Sequence, residues 1–172
     1  LDAVPHYSAA LLGPGLGQNP ATTALVMEPI GHLTLPRVID ADALNALATR
    51  DRWWRGIPAG SVLTPHPGEF ARLARLTVPE VQADRLGIAI RCAAEWGQVV
   101  VLKGANTVVA APDGHACVIP FANPGLATAG SGDVLAGAIV GLLAQGMAPF
   151  PAAIAGAYLH GLAGDLTARE IG

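Results

Sequence analysis

The stretch Asn123-Pro-Gly-Leu-Ala-Thr-Ala-Gly-Ser-Gly-Asp133 runs straight into an amphipathic pattern. Its small residues at Gly130, Ser131 and Gly132 let backbone N–H groups turn toward a bound anion. A helix starting there adds its positive end, so the segment reads as a phosphate or oxyanion cradle. Asp133 places a carboxylate at the rim of that cradle, where it could take a proton from a substrate hydroxyl. The same residues also make an ordinary helix start, with Asp133 as N-cap and the glycines in a tight turn. On this segment alone both readings stand.

Four further segments put polar groups just after apolar runs. Leu12-Gly-Pro-Gly-Leu-Gly17 sits where glycines of a parallel sheet meet ligands, yet it lacks a dinucleotide-binding spacing and reads equally as a plain turn. In Val62-Leu-Thr-Pro-His-Pro-Gly-Glu69, two prolines fix the backbone around His66 and hold its imidazole in one direction. Glu69 there either joins the site or complements a helix dipole. Arg37-Val-Ile-Asp-Ala-Asp-Ala-Leu-Asn45 gathers Asp40, Asp42 and Asn45, a cluster suited to a polar substrate or a hydrated magnesium ion. Its plainer reading has Asp42 capping a helix and Asn45 facing solvent. In Val100-Val-Leu-Lys-Gly-Ala-Asn-Thr107, Lys103 ends an apolar strand ready to meet phosphate and Gly104 permits close approach. Lys103 would otherwise be an edge lysine with its head in water. His160 reads as a satisfied core histidine, and Trp53 and Trp54 as packing after a helix end.

Alternating strands and helices must position these groups, which predicts an α/β domain with a mostly parallel sheet. Strands are expected over Ser8–Leu12, Arg37–Asp40, Ser61–Thr64, Val99–Lys103, Thr107–Ala111 and His115–Ile119. The last two flank Pro112-Asp113-Gly114, a hairpin signal, because Asp-Gly supplies positive φ. Helices are expected over Asn19–Met27, Asp42–Asp51, Gly68–Leu76, Pro79–Trp96, Gly132–Gln145 and Pro151–Thr167. In the fifth, Val134, Leu135, Ala138, Ile139, Leu142 and Leu143 share a face, and Gly146 stops it.

Composition narrows the classes. At 172 residues the chain suits one α/β core, a single domain over 1–172. Apolar residues at 52% against 13% charged argue for a packed interior and against disorder. A net charge of −3 without a basic run gives no support for nucleic-acid binding, so an anion must be held by local groups. No apolar run approaches the roughly 20 residues of a membrane span. The opening LDAVPHYSAALLG lacks the basic start of a signal peptide, and Cys92 and Cys117 lack metal spacing. Both thiols are expected buried, in a reducing cytoplasm. The first strand starts so near Leu1 that an N-terminally truncated domain is expected.

Taken in order, GPGLG, IDADALN, LTPHPGE, VLKGANTVV, NPGLATAGSGDVLAG and AYLHGLAGD resemble the motif series of the NAD(P)H-hydrate dehydratases, relatives of ribokinase. The resemblance covers nearly the whole chain and implies a ribokinase-like three-layer α/β/α fold. It implies that Gly15, His66 and Asp133 contact hydrated NADH or NADPH, with Asn123 in the same site. Lys103, Gly104, Ala105, Asn106 and Thr107, with Gly130, Ser131 and Gly132, would take ADP or ATP, accompanied by Mg2+. Asp40, Asn45 and Glu69 would have supporting or magnesium-related roles, and no metal ligands are assigned.

The implied reaction is a dehydration in which Asp133 deprotonates the C6 hydroxyl, the hydroxyl is phosphorylated, and phosphate leaves. Ser131 stands where such proteins more often carry Thr, a hydroxyl for a hydroxyl. A homo-oligomer is expected, with neither nucleic acid nor membrane as partner. The nearest alternative is a ribokinase-like kinase of a small vitamin precursor, and a further one is a nucleotide-binding module without catalysis.

Overall fold

The computed structural model describes residues 6–171. Its six strands lie in one sheet in chain order. They are β1 (Ala10–Leu12), β2 (Arg37–Ile39), β3 (Val62–Leu63), β4 (Val99–Leu102), β5 (Val108–Ala110) and β6 (Ala116–Val118). The first four run parallel, while β5 and β6 run antiparallel to their neighbours. Each expected strand is present, one or two residues shorter.

Parallel strands laid down in one direction need right-handed crossovers, so their connecting helices fall on one face. That face carries α1 (Pro20–Ile30), α2 (Ala41–Ala48), α3 (Pro67–Ala74), α4 (Val78–Ala83) and α5 (Arg85–Trp96). The other face is left for the chain after β6, which supplies α6 (Ser131–Ala144) and α7 (Pro149–Ile171). The result is a three-layer α/β/α arrangement.

Strand alternation feeds both cores. Ile39, Leu63, Val100, Leu102, Val108 and Ala110 point to the α1–α5 side. Val38, Val62, Val99, Val101 and Val109 point to α6 and α7. The hairpin forms as read: Ala111 N–H donates to the His115 carbonyl at 2.8 Å, and Gly114 has φ 90°.

Three expectations are corrected. The helix read over Pro79–Trp96 is two helices, broken at Asp84 (φ −145°, ψ 62°), whose carboxylate accepts from Gly87 N–H at 2.9 Å and caps α5. A side chain that satisfies the backbone locally competes with helix continuation. Val134 is 64% exposed, because the sheet and α7 lie toward Leu135, Ala136, Ile139 and Leu143 instead. Cys117 is half-buried on edge strand β6, whereas Cys92 is buried and its thiol is pushed up to about 11, chiefly by burial. Trp53 packs as expected, edge-on to Trp54 and Trp96, with its N–H donating to the Leu73 carbonyl at 3.1 Å. No helix among the described residues is long and apolar enough to cross a membrane.

Candidate active site

The carboxyl ends of β1 to β4 converge, and backbone bonds continue the sheet one step past each strand. Asp40 N–H donates to Leu12 carbonyl (2.9 Å), Thr64 N–H to Ile39 carbonyl (3.2 Å) and Lys103 N–H to Pro65 carbonyl (2.9 Å). Side chains following the strands are thereby held in fixed directions. Beside this edge lies a cavity of about 640 Å³, walled by the Lys103–Thr107 loop, the Phe121–Thr128 segment, the start of α6 and part of α7.

The start of α6 overturns the reading of Asp133 as its N-cap. The N-cap is Gly130 (φ 86°), not Asp133, and no side chain caps the helix. Ser131 N–H bonds back to Thr128 and Val134 N–H to Gly130. Among the described residues, the N–H groups of Gly132 and Asp133 have no acceptor, so two donors are free at a cavity wall. With the dipole of α6 behind them, they could donate hydrogen bonds to an oxyanion. The Asp133 carboxylate lines the cavity, exposed and without a hydrogen-bond partner among those residues. It is thus free to act as a base.

Lys103 reaches across to this cradle. Its ammonium, 18% exposed, lies 2.8 Å from Asp40 and 4.0 Å from Glu69. A Cβ on Gly132 would meet the same ammonium at 3.2 Å, so the two residues pack closely. Asp40 is 1% exposed, and its second oxygen has no partner. His66 occupies the N-cap of α3 in a capping box: its Nδ1 accepts from Gly68 N–H (3.0 Å), and Glu69 accepts from His66 N–H (2.8 Å). An Nδ1 that accepts leaves the neutral ring's proton on Nε2, fixing the tautomer.

The cavity brings together His66, Lys103, Gly104, Ala105, Thr107, Asn123, Gly130, Ser131, Gly132 and Asp133. Gly15 and Asn106 do not line it. Gly15 stands exposed in a turn tied down by Asp42, which accepts from Gly17 N–H (2.8 Å) and Gln18 (3.0 Å). Asp42 is therefore a loop anchor, while Asp40 holds the N-cap position of α2. Gly13 is required because a Cβ there would run into the Asp40 carbonyl. Asn106 adopts φ 54° and gives its N–H to Phe121 (2.8 Å), bracing the wall from behind. Asn45 bonds Arg72 (3.1 Å) on the helical layer. Asn123 lines the cavity, yet its amide is engaged by Gly125 N–H (2.8 Å) and the Gly164 carbonyl (2.7 Å), latching the loop to α7.

Sequence reasoning missed His160. It is a half-buried cavity residue, with Nε2 at 3.0 Å from the Ser131 hydroxyl. Burial depresses its pKa, and the charge of Lys103 lowers it further. Nothing in the surrounding residues could have revealed this, because the contact joins α7 to α6. The apolar wall of Ile119, Phe121 and Leu126 was missed for the same reason.

Sheet order, layering and an uncapped helix start at the strand ends together define a ribokinase-like α/β protein. The chain belongs to the Carb_kinase family of NAD(P)H-hydrate dehydratases, which it matches over residues 1–172. It is 53% identical over 172 residues to the bifunctional NAD(P)H-hydrate repair enzyme Nnr of Moorella thermoacetica, covering 100% of this chain and 32% of that protein. To the ADP-dependent (S)-NAD(P)H-hydrate dehydratase of Neisseria meningitidis it is 47% identical, covering 96% of this chain and 57% of that one. Among solved structures it resembles the ADP/ATP-dependent NAD(P)H-hydrate dehydratase of Bacillus subtilis co-crystallised with ATP/Mg2+. The TM-score is 0.83 with 37% identity, over 95% of this chain and 57% of that one. The chain thus spans about a third to somewhat over half the length of these relatives.

Proposed function

We propose that the protein restores NAD(P)H from its hydrated (S)-form, using ADP or ATP as phosphoryl donor. The observation carrying this reading is the pair of free N–H donors on Gly132 and Asp133 beside the unpartnered Asp133 carboxylate, at the mouth of a cavity large enough for a nucleotide. The names and identities of the relatives from Moorella and Neisseria supply the substrate class.

In this reading Asp133 takes the proton of the C6 hydroxyl as its oxygen attacks the terminal phosphorus of the donor. The bond to the leaving AMP or ADP breaks, and charge on the transferred group is met by the cradle amides and Lys103. The ring nitrogen lone pair then expels phosphate from C6, and loss of a proton from C5 restores the double bond. His66, whose Nε2 lies 3.5 Å from a Glu69 carboxylate oxygen, lines the side facing the dinucleotide, and Lys103, Gly104, Ala105 and Thr107 face the nucleotide. The wall of Ile119, Phe121 and Leu126 offers an apolar surface for a planar ring.

Among the described residues no group of three or more His, Cys, Asp or Glu forms a metal cage, and Asp133 is the one carboxylate lining the cavity. That donor set fits magnesium arriving with the nucleotide, held by phosphate oxygens and water and neutralising their charge. Gly15, Asn106 and Asn123 are retained as contacts only with substrates bound, since none offers a free group to the cavity now.

The test is recovery of dihydronicotinamide absorbance from chemically hydrated NADH or NADPH by the full gene product, with magnesium and ADP or ATP. Nucleotide-dependent recovery is expected, and the more effective nucleotide identifies the donor. A folded, nucleotide-binding protein that gives no recovery would reject the dehydration in favour of a small-molecule kinase.

A further inference from the structure

The break between α4 and α5 has a consequence at the cavity. It makes Arg85 the first residue of α5 and turns its guanidinium onto the end of β4. Nη2 donates to the carbonyls of Leu102 (3.0 Å) and Lys103 (3.4 Å), and Nη1 donates to Gln82 (3.1 Å). A Cβ on Gly104 would lie 3.2 Å from both terminal nitrogens, so the guanidinium packs on the face of that glycine.

This placement is costly in three ways. A cation in the first turn opposes the positive end of the helix dipole. The group is half-buried, and burial lowers its pKa. Among the described residues no carboxylate lies within 4.0 Å of it, and neighbouring Asp84 is committed to Gly87 N–H and Arg91 (3.3 Å). Closing the α4–α5 turn needs no charge, because Asp84 already caps α5.

We propose that Arg85 is a positioning residue for the nucleotide-binding loop. Nη2 holds the Leu102 and Lys103 carbonyls while Nη1 is anchored by Gln82, and the guanidinium so sets how Gly104, Ala105 and Thr107 face the cavity. Its unneutralised charge adds to the field that attracts the phosphates. The inference rests on the assignment of that loop to ADP or ATP made above.

Hydrogen exchange on the full gene product without nucleotide reads the bracing directly. Arg85→Met keeps the apolar stem and should speed exchange of the amides of residues 104–107 several-fold, with little change elsewhere. Arg85→Lys keeps the charge but loses the fork and should fall between. Titration with ADP should show about tenfold weaker binding for Arg85→Met. In turnover, KM for the nucleotide should rise while kcat and KM for the hydrated dinucleotide stay near wild type.

Wild-type exchange and wild-type ADP affinity in both variants would overturn the proposal. Failure of the wild-type protein to bind ADP would refute the loop's nucleotide assignment and the role of the charge, and exchange alone would then decide the bracing. Should Arg85→Met fail to fold, Arg85→Lys carries both measurements.

Discussion

The two helical layers are built from different residues. On the α1–α5 side, Phe70, Trp53, Trp96, Leu44 and Leu47 fill the space over the sheet. Trp96 packs against Phe70 at 5.4 Å and Trp53 at 4.8 Å between ring centroids. On the other side, α7 presents Ala152, Ala153, Gly156, Ala157, Gly161 and Gly164. A Cβ on Gly156 would strike Ile139, one on Gly161 would strike Phe121, and one on Gly164 would meet Leu126 at 2.7 Å. Large side chains make the first layer thick and strongly stabilising. Small ones let α7 lie close to α6 and to the cavity wall, so the second layer shapes that wall.

This division is sharpened most by removing the proposed base. Asp133→Asn should cost on the order of a thousandfold in kcat while nucleotide affinity and melting temperature stay near wild type. Retained turnover would end the assignment of Asp133. On the opposite layer, Phe70→Ala should lose about 3–5 kcal/mol of stability in denaturant melts, with kcat per folded molecule unchanged. A loss of kcat at full folding there would break the division.

Gly161→Ala should do both in part. Its Cβ must displace Phe121, which costs about 1–3 kcal/mol and raises KM for the nucleotide. A variant with unaltered KM would show that the α7 contact is packing alone.

The smallest effect expected is that of pH on His160. Burial holds its folded pKa below the ordinary 6.5, so the unfolded chain takes the proton more readily. Its contribution to stability is therefore complete above pH 6.5 and is lost as pH falls through the folded value. Thermal melts between pH 7 and 5 should show a shallower decline in His160→Gln than in wild type. An unchanged slope would remove the histidine from that dependence.

Much of this was legible in the residues. Strands β2 to β5 showed as apolar, valine-rich runs because they are buried on both faces, and the Asp-Gly turn fixed the hairpin. The glycine-rich turn was legible as the start of a helix, but taken alone it left the anion cradle and the plain N-cap both open. The break at Asp84 was not, because one Asp and one Gly weaken a helix without forbidding it, and the apolar pattern continues on both sides, so Arg85 was hidden with it. The role of Asp42 was also misread between cap and cluster, because its partners Gly17 and Gln18 lie on another strand's loop.

By itself, then, the sequence determined the element order, the α/β class and the motif series, because periodicity and turn chemistry act between residues near in the chain. Tertiary structure alone decided that Lys103 meets Asp40 and Gly132, that His160 meets Ser131, and that Gly130 leaves α6 uncapped toward a cavity. Those contacts join residues tens of positions apart. They exist only because sequential crossovers fill one face of the sheet and oblige α6 and α7 to close the other.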